Sequence, residues 1–182
     1  MVLILAAIAL VIMAGLIYMI TFGTQLSGMQ KRYKTALDAG FGGTDVTFQL
    51  IAARGDPFDS TTATLLNYHR SLSDACLADK LNKKTADWSG CDSSMTVGPT
   101  SHDVYFDLGA SPYPTYRVYS KIVDTAEGNS GGDEGLTGKG VVASGSGEVT
   151  VVSRPYLYTI EVDAENLSNP AERAKLSVLY QY

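Results

Sequence analysis

Two hydrophobic patterns divide the chain near residue 30. From residue 2 to 22 nearly every position is apolar, and no charge occurs before Lys31. Twelve residues in 2–22 are Val, Leu, Ile or Phe. At about 0.3–0.6 kcal/mol each, placing them in a bilayer gains roughly 4–7 kcal/mol. As a helix, an uncharged stretch of about 30 residues covers about 45 Å, against roughly 30 Å of bilayer hydrocarbon. The pattern predicts a membrane-spanning helix rather than the core helix of a soluble protein. A secretory signal peptide fits poorly, because it needs a basic n-region and an apolar run of roughly 7–15 residues. The missing basic leader is what a chain cut ahead of its apolar segment would show.

Past the span, apolar residues keep helical spacing through Leu26, Met29, Tyr33 and Leu37, then Val46 and Leu50. Gly23 with Ser27, and Thr24 with Gly28, are small residues four apart, which permits close helix contact. Gly40, Gly42 and Gly43 each cost about 1 kcal/mol relative to Ala in a helix. They are expected either to end the helix near Ala39 or to let another chain approach it. Asp56-Pro57 is the last plausible stop.

The second pattern is polar and glycine-rich. Residues 60–85 read as one amphipathic helix, with Leu65, Leu66, His69, Leu72, Cys76 and Leu77 on a shared face. The segment 86–101 reads as loop, with Trp88 as a packing residue. Alternating, β-branched and aromatic stretches then predict an antiparallel meander over 102–109, 115–126, 138–145, 148–165 and 173–182. Pro155 splits the fourth or marks an edge or bulge. Most of the 11 tyrosines fall in this region and read as a half-exposed sheet face. The expected class is α+β: a long N-terminal helix over 1–54, its first half transmembrane, and a small domain over 55–182 with a C-terminal antiparallel sheet.

Charge and chemistry narrow the function. The net charge is -5, which argues against nucleic acid as a partner. Lys31, Arg32 and Lys34 form the one basic cluster. Cys76 and Cys91 would be free thiols in the cytosol and a disulfide outside it. Closing a loop of about 15 residues would contribute roughly 3 kcal/mol. Asp124, Glu127, Asn129, Asp133 and Glu134 offer oxygen ligands for calcium, but they match no EF-hand spacing, and a solvated loop is the simpler reading. No nucleophile, phosphate-loop or metalloprotease motif occurs, and His69 and His102 have no catalytic context. The expectation is a non-enzyme without a cofactor. The basic cluster favours a cytoplasmic C-terminal side, whereas a removed basic leader and the cysteine pair favour the opposite orientation, adopted here.

This layout resembles type IV pilins and type II secretion pseudopilins. "MQKRYKTALDAGFGGTDV" (29–46) resembles the post-membrane part of PilX-type minor pilins, and "PAERAKLSVLYQY" (170–182) their closing strand. The likeness is good over about 1–54, architectural beyond, and specific to no single protein. It implies cleavage of a short leader by prepilin peptidase, with Met1 as the N-methylated mature terminus. It also implies a single-pass stay in the bacterial inner membrane with a periplasmic head, then passage to the extracellular filament or its tip. Leu3, Leu5, Ile8, Leu10, Ile12, Leu16 and Ile17 would pack in the helix bundle. The partners implied are other pilin subunits and a tip adhesin.

Two departures refine this reading. Family members typically carry Glu at the fifth mature position, where it neutralises a neighbour's terminal amine; here Leu5 stands there, and no acidic residue occurs before Asp38. Leaving a buried charge unpaired is costly, and subunits lacking this Glu are associated with the filament tip. Phe22 replaces a proline found in many major pilins. A minor subunit that primes or caps a filament is therefore the first expectation. A major subunit and a single-pass anchored binding domain are the alternatives.

Overall fold

The computed structural model describes residues 2–109, 115–128, 141–142, 149–150 and 155–182. Helix α1 runs Val2–Ala53 without interruption for 52 residues, about 78 Å at 1.5 Å per residue. The glycine cluster does not end it. A Cβ built on Gly43 would lie 2.5 Å from Val118 Cγ1, and one on Gly40 would lie 2.2 Å from Leu176 Cδ1. The close approach they allow is by the sheet of the same chain. The helix stops where Arg54 turns left-handed at φ 50°. Gly55 N–H then bonds the Leu50 carbonyl and Arg54 N–H the Ile51 carbonyl, a Schellman closure. The Arg54 guanidinium covers the rings of Tyr156 and Tyr182.

Residues 60–85 are not one helix. Asp59 caps a short α2 (Ser60–Leu65), accepting Thr62 N–H at 3.0 Å. Asn67 then adopts φ 46° and breaks the run. His69–Arg70 form β1, an edge strand, so His69 is an exposed strand residue rather than a half-buried helical one. Ser73 caps α3 (Asp74–Asn82), and a 3-10 turn follows at Thr85–Asp87. Two capping residues and a left-handed asparagine outweigh the hydrophobic spacing.

Strands β2 (Val104–Leu108), β3 (Tyr116–Ala126), β6 (Leu157–Asn166) and β7 (Arg173–Gln181) join β1 in an antiparallel sheet of order β1-β2-β3-β6-β7. Among the described residues the expected third strand does not join it: β4 (Val141–Val142) pairs with β5 (Val149–Thr150) in a separate ladder. Pro155 precedes β6, as a residue without a ladder donor must.

The C-terminal half of α1 lies on one face of this sheet. Ala36, Gly40, Gly43, Thr44, Thr47, Leu50 and Ile51 are buried at helical spacing. They meet Val118, Ile122, Ile160, Val162 and Ala164, with Leu77 and Leu81 of α3 completing the core. Thr47 donates to the Gly43 carbonyl and pairs with the Ser120 hydroxyl at 2.8 Å, the polar seam of this interface. A bulge between Ile122 and Asp124 turns Thr125 inward, where its hydroxyl donates to the Lys80 carbonyl.

Candidate functional site

The feature with most bearing on function is the free half of α1. Every described side chain from Ile4 to Thr35 is exposed. The most apolar window of this helix has a mean hydropathy of 2.3, and none of it is covered by the rest of the chain. Ile8, Leu10, Ile12, Leu16 and Ile17 all project outward. Ile8, Ile12 and Leu16 share one face, while Leu10 and Ile17 lie on another, so the helix is apolar all round. Leu3 and Leu5 belong to the helix by their backbone; their side chains, and Met1, lie outside the described residues. Thr21 and Thr24 add no unmet polarity, since their hydroxyls donate to the Ile17 and Thr21 carbonyls at 2.7 and 2.8 Å. An exposed apolar surface of this size marks a membrane or protein contact.

In the head, a disulfide joins Cys76 of α3 to Cys91, with the two Cα atoms 5.6 Å apart. It anchors the loop that covers two buried lysines. The Lys80 ammonium donates to both Asp103 carboxylate oxygens at 2.8 Å, to the Ile122 carbonyl at 2.8 Å and to the Asp92 carbonyl at 3.0 Å. Burial pushes the Lys80 ammonium down and the Asp103 carboxyl up, while their mutual contact opposes both shifts. Lys121 on β3 reaches Asp92 and the hydroxyls of Ser94 and Ser101. The Lys121 hydrogen bond, then the Ser94 backbone and hydroxyl, hold the Asp92 carboxyl well below its ordinary range. The network ties the loop over 92–101 to α3 and β3.

The two histidines both pack on Tyr105. His69 stacks on Tyr105 at 5.0 Å, and His102 meets Tyr105 edge-on at 5.5 Å. The His102 Nδ1 lies 3.0 Å from the Gly98 carbonyl. Of the calcium candidates, Asp124 accepts the Thr85 hydroxyl and Glu127 is exposed. Asn129, Asp133 and Glu134 lie outside the described residues. Among the described residues, no group of three or more His, Cys, Asp or Glu side chains could hold a metal.

Lys80, Asp103 and Lys121 escape the hydrophobic pattern. Lys121 sits in an outward register between Ser120 and Ile122, and the disulfide-anchored loop covers its ammonium. The nearest signal was the spacing of Cys76 and Lys80 one turn apart in α3. No protein-family model, curated protein or solved structure matches the chain.

Proposed function

We propose that this protein is a minor type IV pilin, or a related pseudopilin, that primes or caps a filament through the free half of α1. The observation that carries the reading is one continuous helix of 52 residues, exposed and apolar in its first half and inlaid in an antiparallel sheet in its second. A simple membrane anchor needs only about 20 apolar residues. A rigid extension from the bilayer into the fold gives a subunit whose head is fixed relative to the helix that would pack in a bundle. The absence of any acidic residue between Met1 and Leu37 supports a terminal rather than a repeating place. In this reading the chain waits in the bacterial inner membrane with its head periplasmic, contacts other pilin subunits through α1, and presents the head to a tip adhesin or to other minor subunits. It performs no catalysis.

The test uses single cysteines introduced at Ile8, Ile12 and Leu16 in otherwise full-length protein expressed in its native host. Crosslinks to pilin-sized chains, in a sheared surface fraction that holds few copies of this protein, are expected. Retention of the whole pool in the membrane with no such crosslink would overturn the filament reading and leave an anchored head domain. A copy number near that of all pilins would make it the major subunit instead. An N-methylated first residue in mass spectrometry would add support for the prepilin route.

A further inference from the structure

The stripe of α1 that docks on the sheet does not stop where the sheet stops. Counting back from buried Ala36 in steps of three and four gives Tyr33 and Arg32, then Met29 and Gly28, then Gln25 and Thr24. Between this stripe and the turn joining β6 to β7 lies a cleft of about 260 Å³, walled by Met29, Arg32, Tyr33, Asn169, Glu172 and Arg173. A second groove continues from it along Thr24, Gly28 and Met29 toward the apolar end. Its floor is open, because a Cβ on Gly28 would meet nothing within 4 Å.

The charges in the cleft are unequal. Among the described residues, no carboxylate lies within ion-pair distance of Arg32. Arg173 gives Nε and Nη2 to Asp163, leaving three of the roughly five guanidinium N–H donors free. Glu172 is the acidic side chain in the wall, and its carboxylate accepts the Tyr116 hydroxyl. Among the described residues, Arg32 is thus the unpaired charge of the cleft, and Arg173 adds N–H donors beside it, so the two guanidiniums can meet an anion.

Its depth identifies the anion's source. Lys31 and Arg32 are the first charges after an uncharged helix longer than the bilayer hydrocarbon, and basic residues at the end of such a span sit at the interface. Helical side chains point back toward the N-terminus. This puts the Arg32 guanidinium at the phosphate layer, with Met29 and the Gly28 groove between it and the acyl region.

We propose that this cleft binds the headgroup of an anionic phospholipid, with an acyl chain lying along the Thr24–Gly28–Met29 groove, while the chain is in the membrane. The proposal rests on the membrane part of the reading above and not on the filament part. Arg32 and Arg173 grip the phosphate, and Asn169 supplies a polar edge to the headgroup.

The test measures lipid retention by native mass spectrometry on the full chain in non-ionic detergent, with phosphatidylglycerol and phosphatidylcholine added at equal amounts. One phosphatidylglycerol per chain is expected, in clear preference to phosphatidylcholine. R32Q should lower that retention about tenfold, the order of a lost charge-assisted contact. G28L should also lower it by filling the groove, whereas the paired K31Q/K34Q, outside the cleft walls, should not. Equal retention of both lipids overturns the proposal. So does a K31Q/K34Q loss as large as that of R32Q, which would mean a diffuse basic belt. Displacement of phosphatidylglycerol by millimolar inorganic phosphate would make it a free-anion site instead. Alkaline carbonate extraction of the parent membranes separates the two failures. Release of the chain overturns the membrane reading and this inference together, whereas firm retention without lipid preference overturns only the inference.

Discussion

Three neighbouring glycines in α1 face three different surroundings, and their replacement by alanine should give effects of different sign. Each substitution gains about 1 kcal/mol of helix propensity. At Gly42 the new methyl meets only Leu108 Cδ1 at 3.4 Å, so G42A should keep most of that gain. At Gly40 it meets Leu176 Cδ1 at 2.2 Å. That atom is the end of a half-buried leucine, which can move at about 0.5–1.5 kcal/mol, so G40A should fall near zero. At Gly43 it meets Val118 Cγ1 at 2.5 Å, with Cβ and Cγ2 at 3.4 and 3.5 Å. Val118 is fully buried mid-strand and β-branched, so it has no free rotamer. Overpacking there costs up to about 3 kcal/mol, leaving G43A about 2 kcal/mol less stable than the parent. The measurement is urea unfolding of the full chain in mild detergent, followed by fluorescence of Trp88. This residue is the sole tryptophan and packs half-buried on the head core, so the signal excludes the free half of α1. If G43A is as stable as G42A, the helix does not dock on β3 as described.

Other parts of the head give further expectations. K80M should cost about 3–5 kcal/mol by stranding the buried Asp103 carboxylate. The double variant K80M/D103N should cost less than K80M alone in the same unfolding assay, and an equal or larger cost would contradict the pairing. Reducing Cys76–Cys91, which closes a separation of 15 residues, should lower stability by roughly 3 kcal/mol, read as a drop in the urea midpoint on adding dithiothreitol. Asp92 has a lowered folded pKa. Its stabilising effect is therefore present above the ordinary carboxyl value of about 3.9 and is lost as pH falls through the folded one. The stability gap between parent and D92N should be full at pH 6 and shrink below about pH 4; a gap constant across that range would rule out the Lys121 pairing as its cause.

Legibility in the sequence followed the range of the forces involved. The first half of α1 was readable because an uncharged apolar run carries its meaning locally. The two long strands β3 and β6 were readable from their β-branched and aromatic content, although β3 is buried on both faces from Val118 to Val123. The Gly40–Gly43 cluster was ambiguous, since a glycine's local cost is visible but the Val118 side chain that requires it lies 75 residues away along the chain. The segment 60–85 misled because its apolar spacing is helical, whereas Asp59, Asn67 and Ser73 act through single hydrogen bonds and one left-handed residue. The lysine pair was hidden because its burial depends on the loop after Cys91, whose Asp92 and Ser101 meet Lys121 from 29 and 20 residues away along the chain. The cleft at Arg32 and Arg173 joins residues from opposite ends of the chain, and no local pattern reports it.

The seating of α1 on the sheet also has a mechanical consequence. A pull on the apolar end travels along an unbroken helix into the stretch from Ala36 to Ile51. There it meets the glycine contacts, the Thr47–Ser120 pair and the leucine core together, as sliding along the whole seam. Sliding shares the load across many contacts at once, whereas peeling would open them one after another. The head can thus stay intact under a pull on the apolar end, with the Schellman closure at Arg54 as the first point at which strain can turn a corner.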